Sequence, residues 1–437
     1  MAGIVRYGSY LPYSRLQRAA IGAGKGERAV ASYDEDSVSM AVEAARDAVR
    51  GGVAVDAVLF ATTSPAYAEK LDAATIQAAL DLPESVSSVE LGGSSRMGLA
   101  ALLLGLDLAA AGRRALVCAS DLVVGAPGGT RESQGGDGAV AFVTGSDTDA
   151  IARVLGQASA TIEILDVWRL PEERFAKQWE ERFTADTMAP AIIDTARRAL
   201  AAGGVEPSTL ATVILDGTNP RSMAGLPKAL GLRPDQVADP LATTVGRTGV
   251  AHAGLLLARA LDQAKPGDRI LVVGEADGAD ALVVEVTGAI KDTRPVRKVD
   301  RWIASKRNDL PYNTYLKWRG ILPFEPPRRP DPERPAAPPM RRHERWKLAF
   351  VGSRCQKCQT GHLPPQRVCV KCGAADRYVS VAASTRRSSG PLSQCSPKGV
   401  QPMPTIATRS LIPLLAMFVS FSAPVGLSRS SCALPAR

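Results

Sequence analysis

Over residues 1–290 of the 437-residue chain, short runs of Val, Ile and Leu alternate with longer Ala- and Leu-rich stretches. Apolar runs of about four to eight residues bounded by turn residues predict buried strands, and the longer stretches predict helices. The order of elements occurs twice. The first copy has a strand and turn at 57–65, a helix at 73–80, a Gly/Ser-rich turn at 92–95 and a helix at 97–111. A strand at 115–119 and a Gly-Asp-Gly-Ala turn at 136–139 follow, leading into a strand at 140–143. The second copy has a strand and turn at 212–220, a helix at 224–230, a Gly-Arg-Thr-Gly turn at 246–249 and a helix at 250–264. It closes with a strand at 269–273 and an Asp-Gly-Ala-Asp turn at 277–280 before a strand at 281–286. Any doubly wound domain alternates strands and helices, so the agreement in order and turn chemistry is what argues for duplication.

The central helix of each copy carries small residues on several faces: Gly98, Ala100, Ala101, Gly105 and Ala109 in one, Ala251, Ala253, Gly254, Ala258 and Ala260 in the other. A surface helix would show a polar face, so both are expected to be buried between layers. Residues 168–202, by contrast, are charged and amphipathic, and read as a solvated helical insertion.

Charge changes the picture of the last third. Residues 1–290 carry a net charge near −10, residues 291–376 about +12, and residues 377–437 hold no Asp or Glu and carry +7. The stretch 291–346 is a Pro/Arg-rich linker, because dense proline disfavours helix and internal strand. Within it Trp302, Tyr312, Tyr315, Leu316 and Trp318 are spaced for a short docking helix. The long apolar run at 411–419 contains Pro413 and is too short to span a bilayer, so no membrane segment is expected. The start of the chain lacks a secretory leader pattern and the seven Cys do not form a secreted disulfide framework, which points to a cytoplasmic protein.

Four of those Cys form two knuckles, Cys355 with Cys358 and Cys369 with Cys372. Paired Cys-x-x-Cys motifs supply four thiolates for a tetrahedral Zn²⁺, and the metal can fold a segment too small for its own core. A redox dithiol is the alternative, but redox motifs do not come paired in this way. A basic ribbon could also bind nucleic acid.

Several motifs carry a resemblance. These are Gly3-Ile4 with Gly-Ser-Tyr-Leu-Pro at 8–12, Ala-Thr-Thr-Ser-Pro at 61–65 with Tyr-Ala-Glu-Lys at 67–70, the turns at 136–139 and 277–280, and Lys-Pro-Gly-Asp-Arg-Ile at 265–270. In this order they resemble the thiolase superfamily, and within it the hydroxymethylglutaryl-CoA synthases of the archaeal type and their bacterial relatives, over about two thirds of the chain. The resemblance implies an α/β, duplicated thiolase fold, layered αβαβα, with halves at 1–165 and 166–290. It also implies a homodimer and a tunnel for pantetheine and an acyl chain, with a coenzyme A thioester as substrate.

Enzymes of this superfamily place a Cys at the N-terminus of the buried first-half helix, where the helix dipole favours a thiolate that accepts an acyl group. That position is Ser95 here, and a Ser hydroxyl needs a nearby base. The family's second-half His falls at Asp216 or a neighbour, the Asn or His of its glycine turn at Arg247, and the synthase's acidic base at Thr63. His252 could partner Ser95, or could be a core His bonded to backbone. Arg28, Arg221 and Lys228 are candidate phosphate or pantetheine contacts unless they are merely solvated. Cys118, in a buried strand, reads as inert.

Ser-Arg-Cys at 353–355, Gly-His-Leu-Pro-Pro at 361–365 and Val-Cys at 368–369 resemble the rubredoxin-like ribbon that precedes an OB-fold in partner domains of thiolases. That places a zinc ribbon at 347–376 and leads one to expect an OB barrel after it, with a first strand at 378–382. The residues from 377 to 437 show no period-2 pattern and read as an irregular tail. The expected function is that of an acyl-CoA-handling, acyltransferase-like protein. The alternatives are a non-catalytic scaffold that channels acyl-CoA to a partner thiolase, and a nucleic-acid-binding zinc-ribbon protein.

Overall fold

Strands from both copies join into one nine-stranded sheet whose order reproduces the duplication. In chain order they are β1 (Ala2–Tyr10), β2 (Ala57–Ala61), β3 (Ser87–Leu91), β4 (Ala115–Leu122), β5 (Asp137–Ser146), β6 (Ala152–Thr161), β7 (Thr212–Gly217), β8 (Arg269–Glu275) and β9 (Gly278–Val286). Their spatial order is β7-β8-β9-β6-β1-β5-β4-β2-β3. Each copy thus runs outward through the same sequence: a starting strand (β1 or β6), the strand after the Asp-Gly-Ala turn (β5 or β9), then a parallel pair (β4 with β2, or β8 with β7). Within the sheet the copies meet where β1 pairs with β6, Gly3 with Arg153 and Ile4 with Ala152, so the second copy starts at β6, ahead of the boundary between residues 165 and 166 expected for the halves. This computed structural model describes residues 2–323, 325, 328 and 336–382. The expected irregular tail and OB barrel beyond residue 382 lie outside them.

Two helices fill the middle layer, α1 (Met97–Ala110) and α2 (His252–Gln263). Their small residues are there because the neighbouring elements pack close by. A Cβ on Gly98 would stand 1.7 Å from the Val250 carbonyl oxygen, and one on Gly254 would stand 2.7 Å from the Val140 side chain. Leu99, Leu102 and Leu106 of α1 and Leu255, Leu257 and Leu261 of α2 share one core with inward residues of both half-sheets. Ser37–Ala48 and Asp72–Ala79 cover the outer face of the first half-sheet. The helix Glu181–Gly203 covers that of the second, with Met188, Ile192, Ala196 and Ala199 fully buried. The result is the layered αβαβα thiolase fold. The expectation that 168–202 is a solvated insertion is therefore corrected: the polar face of that helix is exposed, but its apolar face closes a core.

After the second copy, Val299–Ala304 is a short helix packed on α2, where the Val299 amide donates to Asp262 at 2.8 Å and Asp300 pairs with Arg259 at 2.7 Å, and Tyr312–Trp318 is a short helix docked on the first half. Asp137 anchors the second of them. Its buried carboxylate accepts the Ala31 and Val123 amides at 2.7 and 3.0 Å and pairs with Arg28 and Arg319, both of which lie over the Tyr315 ring. Where dense proline predicts extended chain, Ala337–Leu348 is a helix, because Pro338 and Pro339 stand in its first turn, where no amide donor is needed. Arg341 and Arg345 pair with Glu84 and Asp81 at 2.6 and 2.8 Å, and Leu348 packs on the first-half core. The strand Val351–Cys355 follows, flanked by Gly361–His362 and Tyr378–Ala382. Tyr378–Ala382 therefore closes the ribbon sheet, in place of the barrel strand expected of it.

Candidate active site

Thr62 and Thr63 after β2, Thr218 after β7 and Ala276 after β8 line one cavity of about 420 Å³, at the C-terminal ends of strands from both copies and beside the N-terminus of α1. Ligands of open α/β sheets bind at such strand ends. Thr63, Ser95, Arg131, Asp166, Thr218 and Arg247 are among its lining residues, drawn from both copies.

Ser95 lies two residues before the first residue of α1, facing the cavity, and among the described residues its hydroxyl has no hydrogen-bond partner. The flanking residues are fixed instead. Ser94 Oγ donates to Asp277, and Arg96 grips Asp280 with two bonds of 2.8 and 2.9 Å. Thr63 is committed as well. Its amide and hydroxyl donate to Asp121 at 2.7 and 2.9 Å, and the same buried carboxylate accepts Ser64 Oγ and the Val250 amide.

Asp216, at the end of β7, accepts two bonds from Arg247, from Nη2 at 2.9 Å and from Nε at 3.2 Å. His252, at the start of α2, is buried and is not among the cavity's lining residues. Its Nδ1 faces the Thr248 amide at 3.3 Å and hydroxyl at 3.4 Å, while the Pro240 backbone engages the ring as well. Burial pushes the imidazole's pKa down, and Arg247 adds to that shift against the opposing effect of Asp216. The suggested Ser95–His252 pair is thus not formed, because the ring's polar atoms are turned to the backbone. Cys118 is buried and its thiol is pushed up to about 12 by loss of solvation.

Against known proteins, the chain is 31% identical over 343 residues to hydroxymethylglutaryl-CoA synthase of Aeropyrum pernix, a match spanning 74% of this chain and 95% of that one. The chain belongs to the hydroxymethylglutaryl-CoA synthase family. The Methanopyrus kandleri member is 30% identical over 350 residues, 74% of this chain and 98% of its own. Solved structures agree on the fold. MvaS in complex with 3-hydroxy-3-methylglutaryl coenzyme A superposes with a TM-score of 0.61 at 19% identity, covering 76% of this chain and 94% of that one. The 3-oxoacyl-(acyl carrier protein) synthase III of Pseudomonas aeruginosa gives 0.59 at 22%, over 65% and 98%. No family model matches the chain.

The three cations nominated for cofactor binding do not line the cavity of this family member. Arg28 is fully buried, its guanidinium held by the Val123 and Glu132 carbonyls and Asp137, so it serves the core. Arg221 and Lys228 are exposed on the short helices Pro220–Ala224 and Leu226–Ala229, and Arg221 lies 3.6 Å from Glu181. Arg131 and Arg169 stand at the cavity instead, beside Arg247.

Sequence reasoning also missed a polar group on the second-half wall. Thr218 Oγ1 lies 2.6 Å from Asp166 Oδ2 and 3.3 Å from both Glu275 oxygens. Asp166 and Glu275 are 3% and 4% exposed. Burial raises the Glu275 carboxyl to about 7, with Asp166 adding to the shift and Arg247 opposing it. The available signal was an acid ending the apolar strand Arg269–Glu275.

In the ribbon, the four Sγ atoms of Cys355, Cys358, Cys369 and Cys372 lie within 4.8 Å of one another. The pairs Cys355–Cys372 and Cys358–Cys369 are 3.6 and 3.4 Å apart. A tetrahedron with metal–sulfur bonds of about 2.3 Å has sulfur edges of about 3.8 Å, so the donor set fits one thiophilic ion after a small expansion. Among the described residues no helix is long and apolar enough to cross a membrane.

Proposed function

We propose that this chain binds an acyl-CoA thioester in the cavity at the start of α1 and handles it without forming an acyl-serine. Membership of the hydroxymethylglutaryl-CoA synthase family and the CoA ligands named for its structural neighbours support the ligand class. The observation that carries the non-covalent reading is the Ser95 hydroxyl, which faces the cavity with no base in hydrogen-bond reach. Where the family has a Cys, a hydroxyl stands here, and a helix terminus alone cannot ionise it. Arg131, Arg169 and Arg247 supply positive charge for the anionic ligand. The four-Cys ribbon holds a structural Zn²⁺, whose chemistry here is to tie two knuckles into one fold. The Asp216–Arg247 pair, which occupies two further family positions, favours a second reading in which the chain only presents acyl-CoA to a partner thiolase.

Intact-mass measurement after incubation with acetyl-CoA and acetoacetyl-CoA, alongside calorimetric binding, tests this. The expected result is binding with no acyl adduct on the wild type, and an adduct on Ser95→Cys. An acyl group on wild-type Ser95 would overturn the non-covalent reading, and absence of binding would overturn the ligand.

A further inference from the structure

A second cavity, of about 450 Å³, lies between the first half and the segment after the second copy, and it shares no lining residue with the strand-end cavity. Its two walls carry opposite charge. On the first-half wall stand Asp34, in the loop before helix Ser37–Ala48, and Glu43, on that helix. On the other wall stand Arg297 and Arg301, before and within helix Val299–Ala304. All four residues are at least partly exposed. Among the described residues no ion pair crosses the cavity. Glu43 pairs with Arg46 at 3.1 Å along its own helix, Asp34 accepts the Ser32 hydroxyl at 2.6 Å, and neither arginine pairs with a carboxylate. An aromatic pair holds the walls apart. The Trp302 ring meets Tyr10 edge-on with centroids 4.9 Å apart and packs against both the central and the first-half outer core, and the Arg297 guanidinium lies 4.6 Å over its face. Glu35 fixes this floor: its oxygens accept the Tyr10 hydroxyl and the Ser32 amide and hydroxyl.

Unpaired opposite charges on either side of an aromatic floor select what enters. A phosphate or other simple anion meets Asp34 and Glu43, and a simple cation meets Arg297 and Arg301, so each is repelled by one wall. A molecule that carries both charges on an apolar body satisfies both walls. Guanidinium groups hold a carboxylate through charge-assisted hydrogen bonds, while carboxylates and aromatic faces hold an ammonium. The volume falls within the range of small-molecule cavities, about 300–1,000 Å³, and their usual make-up is an apolar lining with a few convergent polar groups. We propose that this cavity binds a free α-amino acid with an apolar side chain. Arg297 and Arg301 take its carboxylate, Asp34 and Glu43 its ammonium, and Tyr13 and Trp302 its side chain. The ligand then bridges walls that the protein alone leaves unjoined, tying the loop at 32–35 to the segment 297–305. The site goes beyond the acyl-CoA reading and does not depend on it, because no residue lines both cavities.

Calorimetric titration of L-phenylalanine into the full chain, alongside 2-phenylethylamine and 3-phenylpropanoate, tests the proposal. The two analogues keep the ring and each lack one of the charges. Saturable binding of the amino acid at one site per chain is expected, with each analogue weaker by about tenfold or more. Asp34→Asn and Arg301→Gln, both at accessible positions, should each weaken L-phenylalanine by about fivefold or more. Amide exchange over residues 32–35 and 297–305 should slow on binding. No saturable binding of L-phenylalanine overturns the proposal, as does equal binding of either analogue. Protection confined to other segments, or unchanged affinity in both variants, overturns it too. The analogue series uses the wild type, so the outcome does not hang on the folding of a variant.

Discussion

Arg247 Nη2 lies 2.9 Å from Asp216 Oδ1, joining the glycine turn before α2 to the end of β7. The pair is part-buried and ties together two positions at which the family's catalytic groups are expected. Removing the cation leaves the carboxylate half-buried and unpaired, so Arg247→Ala should lower stability by about 1–3 kcal/mol. Asp216→Asn in the same background should recover part of that loss. Urea unfolding of both single variants and the double variant gives the coupling, expected at about 0.5–3 kcal/mol. A coupling near zero would show the contact to be incidental.

Glu275 predicts the direction of a pH effect. Its folded pKa of about 7 lies above the ordinary 4.5, so the folded chain retains a proton that the unfolded chain has released. Its contribution is complete below the unfolded value and is lost as pH rises through the folded one, between about pH 4.5 and 7, at roughly 1.4 kcal/mol per unit. Asp262, raised to about 6 by burial, acts in the same direction. Denaturant unfolding at pH 5 and pH 8 should therefore show wild type losing up to about 3 kcal/mol more than Glu275→Gln across that interval.

Gly98 and Gly225 should respond oppositely to Ala. A Cβ on Gly98 meets the Val250 carbonyl oxygen at 1.7 Å, a backbone atom that cannot swing aside, whereas one on Gly225 meets nothing within 4 Å. Gly225 has a helical φ of −79°, so Gly225→Ala should be neutral or stabilise by a few tenths to about 1 kcal/mol. Gly98→Ala should cost about 3 kcal/mol or more, despite the better helix propensity of Ala. Thermal melts of the two variants check the pair.

Metal content separates the ribbon from the core. One Zn²⁺ per chain is expected by elemental analysis, and none in Cys369→Ser. Chelation should raise amide exchange over residues 351–382 and leave the exchange of β4 and β5 unchanged, because helix Ala337–Leu348 is attached to the core largely through exposed ion pairs of about 0–1 kcal/mol each. Loss of core protection on chelation would mean that the metal supports the whole molecule.

Much of the fold was legible in the residues. Hydrophobic runs place β2, β4, β7 and β8, small residues at Gly98, Ala101, Ala253 and Gly254 mark the two central helices, and paired Cys motifs mark the ribbon, because each is a local pattern imposed by one environment. The identity of Ser95 at the helix start was equally readable. Its isolation was not. Hydrogen-bond partners are chosen by the folded backbone and often come from distant segments: Asp121 holds Thr63 from 58 residues away and Arg247 meets Asp216 across 31, while the turn before α2 folds back so that Thr248 and the Pro240 backbone take up His252. The same limit hid Arg28, which is a plausible surface cation by type but is buried because Asp137 and Tyr315 converge on it. Asp166 and Glu275, 109 positions apart, become one group only through Thr218 at the ends of adjacent elements. The sequence by itself determined the order of the layers and the four-Cys pattern of the ribbon. Tertiary structure decided which residues face the cavity and which are already bonded, since burial and partner choice depend on contacts that no local pattern encodes.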